Sequence, residues 1–342
     1  MFENFWGNLH VQKALEGMIE RERIPQTMLF AGLGGLGKAT LARRFAARML
    51  GSPEKIEQDD LSREETAELI AAREKLPSDK RNDDPLFFGT HPDFLTFAPD
   101  GPLRQISIPQ MRLLKERAQY KPLRGSRRIF LIDRVDRAGE QAANSLLKTL
   151  EEPPDHLILI LTAENLYDLL PTIRSRSVAL NFSPLSNEDM QAFARARGLD
   201  NAERRIALSG GSPGLAATLE IEIFQKRRAA MLGLLKTGAG AATYAAWLPV
   251  SETLGRNRNE KLELYLTLLY ELLRDIAILR EGGGAIRNFD LESELGALAN
   301  RVSRAWIIRA VKAVDEIAGL LRRNIQKNIA LDGLLMELRR VS

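Results

Sequence analysis

The sequence predicts an α/β domain built on a parallel sheet over residues 1–183, then a small helical lid domain over 184–220, then an all-α domain over 221–342. Three observations carry this. Short, almost wholly apolar runs alternate with helical stretches in the first half, the pattern of parallel strands buried on both faces. A glycine cluster lies directly between the first such run and the helix after it, where a phosphate-binding turn belongs. After Pro184 the strand signal stops, and apolar residues recur at the three- and four-residue spacing of helices.

From Asn8 to Arg23, residues Leu9, Val11, Leu15, Met18 and Ile19 recur at helical spacing, and Ile24-Pro25 ends the segment. Met28-Leu29-Phe30-Ala31 is a strand that stops at the glycines, and Ala39 to Leu50 is a helix with Leu41, Phe45 and Met49 on one face. Further strands fall at Phe94–Phe97, Ile129–Ile132, Leu157–Leu161 and Val178–Leu180, with helices near 109–120 and 139–151. Residues 51–89 carry eleven acidic and six basic side chains. With helical spacing only at Leu61, Leu69, Ile70 and Leu76, this stretch reads as a solvated helical insertion or a mobile loop rather than a core element. Beyond Pro184, helices are expected over Asn187–Gly198 and Asn201–Ser209, with a third after the Gly210–Gly214 break. From about Ile221 the chain reads as long amphipathic helix, with Leu262, Leu266, Leu269, Leu273 and Ile276 forming one buried stripe.

A length of 342 residues exceeds what one core usually organises, which agrees with several domains. Apolar residues make up 44% and charged residues 27%, the ordinary globular range. There is no cysteine, which excludes disulfides and a thiolate zinc site. The histidines His10, His91 and His156 are scattered, so no metal cluster is predicted. No basic flank precedes an apolar run at the N-terminus, and no stretch reaches eighteen uninterrupted apolar residues, so the expected location is cytoplasmic with no membrane partner. A formal charge of +4 suits a modest phosphate-contacting surface but not autonomous tight DNA binding.

Gly32-Leu33-Gly34-Gly35-Leu36-Gly37-Lys38 matches the first seven positions of a P-loop, after a strand and before a helix. Gly32, Gly34, Gly35 and Gly37 would let backbone N–H groups turn toward phosphate oxygens, and Lys38 would neutralise the β and γ phosphates. The eighth position, where a hydroxyl holds Mg²⁺, is Ala39. The hydroxyl arrives one residue late at Thr40, rotated about 100° around the helix, which puts metal binding in question. Ile129-Phe130-Leu131-Ile132-Asp133 is a buried strand ending in a carboxylate, the form of a Mg²⁺-orienting element; without the P-loop upstream, Asp133 would read as a strand-end turn former.

Ala142-Ala143-Asn144-Ser145-Leu146-Leu147-Lys148-Thr149-Leu150-Glu151-Glu152-Pro153-Pro154, followed by Leu170-Pro171-Thr172-Ile173-Arg174-Ser175-Arg176-Ser177, resembles the clamp-loader AAA+ family, and within it the bacterial delta-prime subunits of DNA polymerase III. The resemblance runs from about Trp6 to Leu219 in motifs and more loosely through the helical C-terminus. It implies that Arg176, in the family's Ser-Arg-Cys motif with Ser177 in place of the cysteine, acts as an arginine finger on a neighbour's ATP site. Thr162 matches the position that senses the γ-phosphate. In hydrolytic members a glutamate follows the strand-end aspartate, but here it is Arg134, which cannot accept a proton from water. Such members also place a second sensor arginine near where this chain has Gly214. The family's four-cysteine zinc module, which precedes His91-Pro92-Asp93, is replaced by the charged insertion, so no zinc is expected and the insertion must hold itself by packing or stay mobile.

The implied cofactor is ATP with Mg²⁺. The implied partners are clamp-loader motor subunits and a delta-like subunit in a hetero-pentamer, the sliding clamp, and primer–template DNA reached through the complex, as part of a DNA-directed DNA polymerase holoenzyme. The expected role is non-motor, with weak or no intrinsic ATPase activity, and the all-α domain over 221–342 is expected to form an oligomerisation collar with the partner subunits. A hydrolytically active motor subunit is the alternative, and Ala39, Arg134 and Gly214 separate the two. A P-loop enzyme acting on a small substrate is more distant, because the helical tail lacks a polar cluster for a second pocket.

Overall fold

Five short runs of aliphatic and aromatic residues form the central sheet, with helices wherever the apolar spacing lengthens from two to three or four. The computed structural model describes residues 2–256, 260–284, 286–320 and 326–340. The chain divides into two units, Met1–Ala217 and Thr218–Ser342, the helices after Pro184 up to residue 217 belonging with the sheet.

In the first unit the order is α1 (Leu9–Glu20), β1 (Thr27–Ala31), α2 (Lys38–Leu50), α3 (Pro53–Gln58), α4 (Glu64–Arg73), α5 (Ser78–Asp83), β2 (Phe94–Phe97), α6 (Ile108–Ala118), β3 (Arg128–Ile132), α7 (Glu140–Glu151), β4 (Leu157–Ala163), α8 (Pro171–Ser175), β5 (Val178–Asn181), α9 (Asn187–Arg197), α10 (Ala202–Ser209) and α11 (Pro213–Thr218). The strands lie in the order β2-β3-β4-β1-β5 and every pairing is parallel. Phe30 of β1 stands opposite Thr162 on one side and Leu180 on the other. Alternate side chains feed two separate cores, as a doubly covered sheet requires. Leu29, Phe97, Phe130 and Leu159 pack with Met111 of α6 and Leu146 of α7. Met28, Phe30, Ile129, Leu131 and Ile160 pack with Val11 of α1 and Phe45 of α2. This arrangement places the C-terminal ends of β1, β3 and β4 side by side, where a ligand site forms in open α/β sheets.

The charged insertion is helical, one of the two forms expected from the sequence, but it is not free of the core, and that part of the expectation is corrected. It forms α3, α4 and α5, and Ile56 and Ile70 are buried, Ile56 within the core beneath α2, while Leu69 and Leu76 face solvent. Charges also hold it in place. The fully buried Arg43 of α2 pairs with Asp60 at 2.5 Å and Glu57 at 3.5 Å. Arg73 donates to both oxygens of the buried Asp100, at 2.9 to 3.2 Å, and to Asp84 at 3.1 Å. Asp59 accepts from the backbone N–H and the hydroxyl of Thr90. Because carboxylate–guanidinium pairs and packing do the work that metal does in zinc modules, adding a strong chelator is expected to leave the melting temperature unchanged. A drop of several degrees, read by differential scanning fluorimetry and restored by zinc, would overturn this account.

The second unit contains α12 (Ile221–Gly238), α13 (Tyr244–Arg256), α14 (Leu262–Glu281), α15 (Glu292–Arg301), α16 (Arg304–Gly319) and α17 (Lys327–Arg339). The predicted stripe on α14 is buried throughout, and Tyr265, Leu268 and Leu272 are buried as well, so this helix is enclosed on more than one face. Around it pack Leu235 of α12, Trp247 of α13, Leu298 of α15, Trp306 of α16 and Leu335 of α17. Among the described residues no helix is long and apolar enough to cross a membrane.

Candidate functional site

The loop from Gly32 to Gly37 leaves β1 and enters α2, whose first residue is Lys38. Lys38 is buried, and its ammonium group donates to the carbonyl oxygens of Gly32 and, at 2.7 Å, of Leu33. Burial lowers its pKa, while the carboxylates of Glu164 and Asp133 act in the opposite direction.

Asp133 and Thr162, adjacent across β3 and β4, meet in a direct hydrogen bond. The Thr162 hydroxyl donates to Asp133 Oδ1 at 2.6 Å and accepts from the Arg134 backbone N–H at 2.8 Å. Thr162 is the second-last residue of β4 and has no exposed surface. Burial pushes the Asp133 carboxyl up, with the Thr162 bond opposing that shift.

Arg134 has a left-handed backbone (φ +56°), an uncommon conformation for a non-glycine residue. Its guanidinium does not lie free in the cleft but pairs with Glu164 Oε2 at 2.7 Å. Glu164 in turn leans on the P-loop, since a Cβ added at Gly34 would lie 2.8 Å from its Oε1. The sequence reading passed over Glu164. The available signal was its place two residues beyond Thr162, which puts both side chains on one face of the extended chain.

Thr40 and Ala39 do not complete a metal site. The Thr40 hydroxyl accepts from Arg43 Nη2 at 3.4 Å, on the side of α2 that faces the insertion. Thr40 therefore sits against a buried cation, and Ala39 has no oxygen to offer. Among the described residues no group of three or more histidine and carboxylate side chains is placed to hold a metal. The glycine loop and Lys38 have the chemistry to hold a phosphate chain, whereas of the residues read from the sequence as Mg²⁺ ligands only Asp133 lies beside Lys38, with its Oδ1 already bonded to Thr162.

The lid helices reach the same loop. Ser212 Oγ donates to the Gly34 carbonyl at 3.1 Å, and the Gly214 backbone N–H donates to the Gly35 carbonyl at 2.9 Å. The approach is so close that a Cβ at Gly214 would lie 2.9 Å from Gly35 Cα, and one at Gly35 would lie 2.3 Å from Ser212 Oγ. Position 214, where a second sensor arginine was sought, is thus a backbone contact between lid and loop that no side chain fits.

Arg176 is not part of this cluster. It follows α8 and is exposed, and its guanidinium forms an ion pair with Glu151 at the end of α7 and donates hydrogen bonds to Thr172 and Ser175 of α8. The structure therefore brings together Gly32, Gly34, Gly35, Gly37, Lys38, Asp133 and Thr162, sets Thr40 to one side, and leaves Arg176 on a separate surface.

A parallel sheet of this strand order, with the P-loop after its first strand, a strand-end aspartate bonded to a sensor-type threonine, and a helical lid touching the loop, defines a P-loop protein of the AAA+ type. Residues 7–186, more than half of the chain, match the family described as "DNA polymerase III, delta subunit". The chain belongs to that family and is a member of the clamp-loader group. It is 31% identical to the DNA polymerase III subunit delta′ of Pseudomonas aeruginosa over 59% of its own length and 57% of that protein's, so the match spans less than two thirds of this relative. It is 25% identical to the DNA polymerase III subunit delta′ of Bacillus subtilis over 96% of this chain and 94% of that one. Among solved structures, a DNA polymerase III gamma subunit-related protein from Thermotoga maritima aligns at 19% identity and a TM-score of 0.42, covering 96% of this chain and 99% of the other.

Proposed function

We propose that this chain is the delta-prime-like, non-motor subunit of a bacterial clamp loader. In this role it joins motor subunits and a delta-like subunit in a hetero-pentamer that places a sliding clamp on primer–template DNA, and Arg176 acts on the ATP site of a neighbour. The observation that carries the non-motor part is Arg134. It occupies the place of the water-polarising glutamate and is held there by Glu164, beside a P-loop lacking its usual metal hydroxyl. Proton abstraction from water needs a base within hydrogen-bond reach, and a paired guanidinium is not one. The lid contact at Gly35 and Gly214 supports the same reading, because it takes the position from which a sensor arginine would reach the γ-phosphate. For assembly, the supporting feature is the C-terminal unit's exposed apolar side chains, Phe289, Ile308 and Ile329 among them, each at least half exposed.

The intact glycine loop with Lys38 keeps nucleotide binding without turnover within this proposal. It also favours the second reading, a hydrolytically active motor subunit. The isolated chain is expected to show negligible ATP turnover, and Lys38→Ala is expected to leave that background unchanged. A phosphate-release assay showing motor-like rates that Lys38→Ala abolishes would establish the second reading instead. Co-purification from the native cell tests the assembly: the chain should come out with a motor subunit and a sliding clamp, and its absence from that complex would sink the main proposal.

A further inference from the structure

The Arg176 side chain is gripped at three points. Nη2 pairs with Glu151 Oε1 at 2.9 Å, and Nη1 donates to the Thr172 carbonyl at 3.2 Å and to Ser175 Oγ at 3.4 Å. The acceptors come from two different helices, α7 and α8. Glu151 is the last residue of α7, directly after the buried Leu150 and shortly before Pro153-Pro154, so its backbone is anchored on both sides. The pair is exposed at both ends, 36% for Arg176 and 49% for Glu151, and a pair so open to solvent adds little to stability.

What the grip does supply is direction. Arginine is long and rotamer-rich, and a guanidinium that must meet a phosphate works best if its orientation is fixed beforehand. Both hydrogen bonds fall on Nη1 and the Glu151 contact is an ion pair at Nη2, so none of the three contacts uses Nε. The five-donor fork keeps at least two N–H groups for the oxygens of an incoming phosphoryl group.

We propose that Glu151 is a positioning residue for Arg176, holding those remaining N–H groups of the guanidinium toward the neighbouring subunit's nucleotide. This rests on the reading of Arg176 as a trans-acting finger. Glu152, one residue further on and also exposed, provides a control of equal charge.

The test uses the reconstituted complex with motor subunits, clamp and primed DNA, and measures kcat and KM for ATP with Glu151→Ala, Glu152→Ala, Arg176→Ala and the double variant Glu151→Ala/Arg176→Ala. Misplacing a catalytic group by about 1 Å costs on the order of tenfold to a hundredfold. Glu151→Ala should therefore lower kcat at the affected site on that scale with KM unchanged, while Glu152→Ala changes neither. Since Glu151 acts only through Arg176, the double variant should be no slower than Arg176→Ala alone, and Glu151→Gln, which keeps an acceptor oxygen, should recover part of the loss. Wild-type kcat in Glu151→Ala alongside a slow Arg176→Ala would overturn the positioning role and leave the finger standing. Losses that multiply in the double variant would also overturn it. Wild-type kcat in Arg176→Ala itself would remove the finger reading, and this inference with it.

Discussion

Arg176→Ala is expected to slow ATP hydrolysis at one neighbouring site by roughly 10³-fold or more while leaving this subunit folded and the complex assembled, arginine fingers being worth on the order of 10³ to 10⁵ in rate. Among the described residues Arg176 contacts α7 and α8 at the surface, and its exposed pair with Glu151 is of the kind that contributes about 0 to 1 kcal/mol. Removing it should therefore shift the melting temperature of the isolated chain very little. A guanidinium placed on the charge that develops during phosphoryl transfer supplies several kcal/mol of barrier, and the two roles differ by orders of magnitude in rate. Its own P-loop is not the target, because the Gly32–Lys38 cluster draws on Asp133, Arg134, Thr162 and Glu164, with Arg176 on a separate surface. Single-turnover hydrolysis by the reconstituted complex with clamp and primed DNA should lose the share of one site. Unchanged turnover and clamp loading would return Arg176 to an ordinary surface ion pair.

The strands were legible because a strand buried on both faces is a nearly unbroken apolar run: Leu157 to Leu161 can hardly be anything else between a proline pair and a polar turn. The P-loop was legible for a similar reason, since its glycines stand at fixed offsets between a strand and a helix. The insertion was not. Its charges read as a sign of solvent, yet Arg73, Asp59 and Asp60 are pinned by partners on other elements, Asp60 by Arg43 of α2. Composition cannot distinguish a solvated charge from a paired one when the partner is remote in sequence. Gly214 shows the same limit at the site. The sequence showed only that an arginine was missing there, whereas the backbone bond to Gly35 that excludes any side chain depends on two segments folding together. Glu164 was hidden because a strand-end acid is common, and only its pairing with Arg134 makes it part of the cleft.

In the C-terminal unit, Asp275→Ala is expected to cost about 3–5 kcal/mol, a far larger loss than removal of any exposed pair there. Asp275 has no exposed surface and sits on α14. Its carboxylate accepts from the backbone N–H of Arg287 at 3.1 Å, from the backbone N–H of Asn288 at 2.8 Å and from the Asn288 side-chain amide at 2.8 Å. Asn288 Oδ1 in turn accepts from the buried Arg228 of α12 at 3.0 Å, so one carboxylate ties the segment before α15 to two helices. Alanine would leave the two N–H groups of the buried Asn288 without this acceptor, each a desolvation penalty of about 1–3 kcal/mol. Asp275→Asn keeps one acceptor oxygen and should lose less. Glu294→Ala, which removes an exposed partner of Lys236, should cost no more than about 1 kcal/mol. Hydrogen exchange on the full chain separates these cases. Protection of the Arg287 and Asn288 amides should collapse in Asp275→Ala, fall partly in Asp275→Asn and stay intact in Glu294→Ala. Equal protection in all three would mean that the segment is held by the packing of Leu291 and Leu295 against the helical core rather than by the carboxylate.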